Sequence, residues 1–179
     1  PSLVDGLVAA AGVVPPFDPA DTVSINYFGA EATLSGLRSA LVAADGAQVV
    51  ALCSNSVTIT PNVPIDIVEA CVDGDEAAAR RAASANGISA YAYAASKIAI
   101  ARYVRTELQR SGFPASQLCF EIGELDTIAH HANVASFIAA LKPVGCRVTV
   151  DAFGSIKLSF AHLSGLPVDF IKIDGVLIQ

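Results

Sequence analysis

The chain is 179 residues long, 53% hydrophobic and 16% charged, with a formal net charge of −6. One α/β-sized domain with a sizeable core fits this length, and the acidic balance with scattered Lys and Arg excludes a nucleic-acid polymer as partner. No apolar run reaches the roughly 18 residues of a membrane helix and no cationic run precedes the first apolar stretch, so a soluble, cytoplasmic chain with no membrane partner is expected.

The first strand is predicted in "DGLVAAAG" (5–12), followed by a helix that Asp21 or Thr22 can cap and that reaches about Ala43. "QVVALCS" (48–54) reads as the second strand. The segment Asn55 to Asn86 reads as one long irregular insertion, since "TITPNVP" resists regular structure, although Asp75 opens an alanine-rich turn. A long helix follows over Tyr91 to Arg110. Strands are then predicted in "LCFEI" (118–122), "RVTVD" (147–151) and "DFIKID" (169–174), with a helix over about His131 to Leu141 and a short one near Leu158 to Leu163. Strands that are apolar throughout and alternate with helices indicate a single α/β domain built on a parallel sheet of about five strands.

Cys53, Cys71, Cys119 and Cys146 show no C-x-x-C spacing and read as small buried hydrophobes of a reducing compartment. His130 and His131 are adjacent and cannot share a helix face, and His162 stands alone, so all three read as surface or cap residues. The chain starts at Pro1 and contains no methionine, which points to a trimmed or engineered chain.

The five strands end in Gly12, Ser54, Glu121, Asp151 and Asp174, and in parallel α/β proteins ligands sit at such ends. Tyr93 and Lys97 are four residues apart on a helix and can point to one spot. A tyrosine with an ordinary pKa near ~10 needs a shift of about three units, or roughly 4 kcal/mol, to exchange protons at neutral pH. One ammonium at ~4 Å supplies about 4 kcal/mol at an effective dielectric of ~20. By itself Y-x-x-x-K is more often an exposed i,i+4 pair.

Taken in order, "DGLVAAAG", "VSINYFGAEATL", "VVALCSNS" and "YAASK" resemble the short-chain dehydrogenase/reductase family, in particular its bacterial hydroxysteroid dehydrogenase/carbonyl reductase branch. The resemblance covers about residues 3–105, a Rossmann-like half. It implies Tyr93 as general acid/base, Lys97 as its pKa-lowering partner and ribose contact, Ser54 (or Ser56) as carbonyl polariser, and Asn26 as the helix-bending member of a tetrad. For an NAD(P) cofactor it implies contacts from Gly12, Tyr93 and Lys97. Ala10 and Ala11 depart from the family's "NNAG", and the glycine-rich turn that anchors the dinucleotide is not found in this sequence.

From about residue 106 the character changes. "LQRSGFPASQLCFEIGEL", "GCRVTVDAFGS" and "LSGLPVDFIKIDG" resemble the EAL domain of cyclic-di-GMP phosphodiesterases, a TIM-barrel family. The resemblance implies Glu121 and Asp151 as ligands of Mg²⁺ or Mn²⁺, Glu124 as a brace for the loop after Asp151, and Lys172 facing the substrate phosphodiester. Period-two alternation sets Lys172 and Asp174 opposite Ile171 and Ile173. Ala152 replaces the family's second aspartate, and Ile156, Lys157 and Leu158 are bulkier and more apolar than the family pattern. Solvated strand-end carboxylates are the competing reading of Glu121 and Asp151.

The two resemblances meet inside one helix and imply a chimera, a non-catalytic α/β scaffold for which no cofactor is expected. The alternatives are an NAD(P)-dependent oxidoreductase acting on a ketone or alcohol, and a cyclic-di-GMP-like nucleotide-binding module. Right-handed crossovers wound one way place every helix on one side of the sheet. The bare face then requires either a reordered strand or a second copy, a homodimer being favoured, because burying about 600 Å² more apolar surface is worth on the order of 15 kcal/mol.

Overall fold

The computed structural model describes residues 3–44, 46–54, 56–111, 115–129, 131–154 and 163–178. They form two compact units, residues 1–107 and 108–179. The class is α/β with parallel strands. Among the described residues, hydrogen bonding divides the five strands into a pair and a triplet, where one continuous sheet was expected. The helix expected near Leu158 to Leu163 lies almost wholly outside the described residues, as do Ile156, Lys157, Leu158, His130 and His162.

In the first unit β1 (Gly6–Ala9) pairs in parallel with β2 (Gln48–Ala51), with Val8 against Val50. Between them runs α1 (Pro19–Val23), a π-helical turn (Ser24–Phe28), α2 (Gly29–Gly36) and α3 (Arg38–Ala43). This is the helix expected from Asp21 to Ala43, but it is broken. Its cap is Asp18, whose carboxylate accepts the Asp21 N–H at 2.9 Å, with Pro19 at the first position, where a missing N–H costs nothing.

The segment read as an irregular insertion is largely helical: α4 (Ser56–Ile59), α5 (Ile65–Val72) and α6 (Glu76–Asn86). Pro61 and Pro64 do interrupt the chain, and Asn62 takes a positive φ of 54°. Beyond them, however, Ile67, Val68 and Cys71 align on one side of α5, and Ala79 and Ala83 on one side of α6. Asp75 caps α6 through the Ala78 N–H at 2.8 Å. These side chains pack with Val23, Tyr27, Ala92, Ala95, Ala99 and Ile100 into the core of the unit. The small alanines of α7 (Ser89–Ser111) suit a face that must lie close to its neighbours. The core is entirely helical, whereas Val8, Val49 and Val50 of the strands are exposed.

In the second unit β3 (Cys119–Gly123), β4 (Arg147–Phe153) and β5 (Phe170–Ile173) form a parallel sheet in the order β3-β4-β5. The helices α8 (Glu124–Ala129) and α9 (His131–Leu141) lie between β3 and β4. Val134 and Ile138 of α9 pack on Ile122, Val148 and Leu166, and Phe120 meets Phe137 edge-on at 5.8 Å. Even-numbered residues of β3 therefore face α9. Glu121, Thr149 and Phe170, which are in cross-strand register, take the other face.

Strand β4 carries one extra residue. Val150 pairs with Ile171 and Phe153 with Ile173, so Asp151 and Ala152 together oppose Lys172. Ala152 adopts φ 55° and Gly154 φ 87°, the left-handed geometry by which a bulge absorbs its added residue.

Candidate functional site

At the end of β1, Asn26 and Lys97 converge on Gly12. Asn26 is 1% exposed. Its side-chain oxygen accepts the Val13 N–H at 2.8 Å, and its amide donates to the Val13 carbonyl at 2.9 Å. The π-helical turn that contains Asn26 widens the backbone there. A Cβ on Gly12 would lie 3.0 Å from Asn26 Oδ1 and 3.9 Å from Lys97 Nζ, so this position has no room to spare for a side chain.

Lys97 is buried, and its ammonium donates to the Leu52 carbonyl at 3.2 Å while lying 5.7 Å from the centre of the Tyr93 ring. Burial holds its pKa below that of an ordinary lysine, against a smaller opposing effect of the Cys53 thiol. Cys53 is exposed as a residue, yet its thiol donates to the Lys97 carbonyl at 3.5 Å, and burial pushes its pKa up. Ser54 opens α4, its hydroxyl accepting the Ser56 N–H at 3.2 Å. Ser56 Oγ is buried without a partner among the described residues.

In the second unit Lys172 forms an ion pair with Glu121. The lysine pKa is raised first by that hydrogen bond, with the charges of Glu121, Asp151 and Cys119 adding to it and desolvation opposing. Glu124 is 4% exposed, and both its oxygens lie 3.1 Å from the Gly154 N–H, which braces the loop after Asp151. Asp174 accepts the Val176 N–H at 2.9 Å and caps a 3₁₀ turn, Gly175–Leu177.

The structure thus gathers Gly12, Asn26, Tyr93 and Lys97 in one place, and Glu121, Asp151 and Lys172 in another. Three further participants were missed by sequence reasoning: the Leu52 carbonyl, Thr149 opposite Glu121, and Asp169, which accepts from Lys142 and from the Val148 N–H. Each is recognisable only from cross-strand register or from a backbone group, neither of which has a residue-type signature.

The two implied cofactors meet different fits. Among the described residues no group of three His, Cys, Asp or Glu side chains is placed to hold a metal ion. Glu121 is engaged by Lys172, Glu124 by Gly154, and Ala152 offers no oxygen. The divalent pair of a two-metal phosphodiesterase does not fit this arrangement. At the β1 end, by contrast, the buried Lys97, with its ammonium on the Leu52 carbonyl, lies beside Gly12 and Asn26, the residues that the resemblance assigns to the ribose end of a nicotinamide cofactor.

Comparison with known proteins finds likenesses to both families, and the two overlap along the chain. A solved 3-alpha-hydroxysteroid dehydrogenase from Pseudomonas sp. B-0831, complexed with NADH, is similar with a TM-score of 0.56 and 28% identity, over 83% of this chain and 47% of that one. The cyclic di-GMP phosphodiesterases PdeA of Borreliella burgdorferi and PdeB of Shewanella oneidensis are 31% and 32% identical over 77 residues, 43% of this chain. PdeF of Escherichia coli is 32% identical over 65 residues. The chain spans only 12%, 9% and 9% of those three relatives. No helix among the described residues is long and apolar enough to cross a membrane. The EAL domain model matches residues 76–179, more than half of the sequence and some thirty residues further upstream than the motifs alone reach, and the chain belongs to the EAL domain family.

Proposed function

We propose that the chain is an engineered or recombinant α/β chimera, a dehydrogenase-derived part over about residues 3–105 and an EAL-derived part over about 106–179, in which the EAL motifs serve as structure and not as a phosphodiesterase site. The observation that carries this reading is the employment of the acidic motif residues: Glu121 in an ion pair, Glu124 on the Gly154 amide, Asp174 at a helix cap. Incubation of the purified chain with cyclic di-GMP and Mn²⁺ or Mg²⁺ should yield no linear dinucleotide above background by chromatography. Turnover that disappears in Glu121→Gln would overturn the reading.

A second reading, residual NAD(P)-dependent reduction of a ketone, is favoured by the convergence of Gly12, Asn26, Tyr93 and Lys97. When bound, the nicotinamide supplies the hydride to the carbonyl carbon. Tyr93 would then give its hydroxyl proton to the carbonyl oxygen, Lys97 would hold the ribose and steady the tyrosinate, and Ser54 or Ser56 would hydrogen-bond the oxygen. Fluorescence titration of NADH and NADPH into the chain and into Lys97→Ala decides this. The oxidoreductase reading expects saturable binding that Lys97→Ala weakens at least tenfold, followed by ketone-dependent cofactor oxidation that Tyr93→Phe abolishes.

The scaffold reading includes a second copy of the chain as partner. Phe170, Ile171, Ile173, Val176, Leu177 and Ile178 are each 39–75% exposed. A second copy covers this edge by pairing along β5, whose Phe170 lies on one face and whose Ile171 and Ile173 lie on the other.

A further inference from the structure

Asn86 and Gly87 close α6 and lead into α7. Gly87 takes the left-handed conformation, φ 72°, that suits the residue stopping a helix. Both residues are exposed, as are Ser84, Ala85 and Ile88 around them. The Asn86 side-chain oxygen accepts the Ile88 N–H at 3.3 Å, so the carboxamide folds back over its own backbone. The Gly87 nitrogen has no neighbouring side chain to shield it, and a Cβ placed there would meet only the Ser84 carbonyl, at 3.9 Å. We infer that Asn86-Gly87 is a self-modifying site, at which Asn86 loses its amide as ammonia and becomes aspartate or isoaspartate, with water as the co-reactant.

The Gly87 nitrogen attacks the Asn86 carboxamide carbon. A C–N bond forms to close a succinimide, the carboxamide C–N bond breaks, and ammonia leaves with the proton that the Gly87 nitrogen gives up. Water then opens the ring at either carbonyl. One opening restores the backbone with an aspartate side chain, and the other routes the backbone through the side-chain carbon as isoaspartate. The Ile88 N–H sits on the oxygen that gathers negative charge during the attack, where a donor lowers the barrier. The opposing contact is the bond from the Gly87 N–H to the Ala83 carbonyl at 3.0 Å, which withholds the nitrogen while the helix end is closed. A terminal turn of exposed residues opens at little cost, so folding slows the reaction only slightly. Other asparagines are less well placed. Asn26 is held by Val13 through both its polar atoms, and Asn62 and Asn133 each precede a β-branched valine that crowds the attacking nitrogen. The new carboxylate stands at the negative end of the α6 dipole. The isoaspartate form also lengthens the link to α7, whose Ser89 hydroxyl donates to the Phe17 carbonyl one turn before Tyr93.

The test ages the purified full chain in mildly alkaline buffer, with and without urea, and follows each asparagine by peptide mapping with mass spectrometry. Asn86 should convert in the folded chain within roughly tenfold of its rate in urea, whereas Asn26 converts only in urea. Both aspartate and isoaspartate should be resolved at position 86. Asn86→Gln, its fold checked by circular dichroism, should abolish the loss of ammonia there. Gly87→Ala, compared in urea where no fold is at stake, should slow the conversion by roughly tenfold, because its methyl shields the nitrogen. A folded chain that converts at Asn86 more slowly than this range, or a Gly87→Ala chain that converts as fast as the native one in urea, would overturn the assignment.

Discussion

Asn26 shows how much one side chain can fix. Its carboxamide offers one acceptor and two donors, and the Val13 backbone takes one of each at 2.8 and 2.9 Å. The pair of bonds ties the segment after β1 to the helix in which Asn26 sits, and it closes a space that only Gly12 leaves open. Asn26→Leu keeps the volume but strands a backbone N–H and a carbonyl in a half-buried setting, so we expect a loss of about 2 kcal/mol. Urea denaturation followed by circular dichroism measures this. A loss below about 0.5 kcal/mol would mean that water satisfies Val13 once Asn26 is gone. The role of Asn26 in holding Gly12 also explains why its motif is legible: a buried amide bonded to backbone needs that residue type. Ser54 and Ser56 are less legible, since a hydroxyl in a strand-to-helix turn caps as readily as it polarises a carbonyl.

Among the elements, Asp169 joins the start of β5 to two neighbours. Its carboxylate accepts from Lys142 at 2.6 and 2.8 Å and from the Val148 N–H at 2.7 Å. The Lys142 hydrogen bond, then that of Val148, holds its pKa below the ordinary carboxylate range. A depressed carboxylate pKa contributes stability that is complete above the unfolded value of about 4 and is lost as pH falls through the folded one. The melting temperature of Asp169→Asn should therefore lie below that of the native chain at pH 7, and the two should converge toward pH 2–3. A gap that is the same at both ends would refute the link to ionisation.

The elements also show what a sequence makes readable. All five strands were found from short apolar runs of the kind parallel strands carry, although β1, β2 and β5 keep much of that apolar surface exposed here. The helices α5 and α6 were lost in a segment named for its prolines, although Ile67, Val68 and Cys71 already carried the helical spacing. Neither the π-helical turn nor the β4 bulge has a composition of its own. Both are slips in hydrogen-bond partner, and Ala152, which takes a φ that Gly or Asn adopts more easily, conceals the second.

For the molecule as a whole, the apolar surface left outside its two cores is the dominant fact. Helices alone bury the core of the first unit, and β5 is exposed along its full length in the second. An edge strand without charge or proline to blunt it, apart from Lys172, pairs readily with another chain. Sedimentation velocity at neutral pH should show a concentration-dependent dimer, and Ile173→Lys with Ile178→Lys should shift it to monomer by at least tenfold in dissociation constant. A native chain that remains monomeric at about 100 μM would remove the second copy from the proposal.

The β4 bulge has one more consequence. An inserted residue normally throws a strand out of phase, turning every later side chain to the wrong side. Here Val150 and Phe153, three positions apart, still pair with Ile171 and Ile173, two positions apart, and both remain buried. The insertion is phase-neutral. A change of side chain at Ala152, where the EAL pattern has an aspartate, therefore leaves the phase of Phe153 to the backbone pairing, and the core keeps its frame.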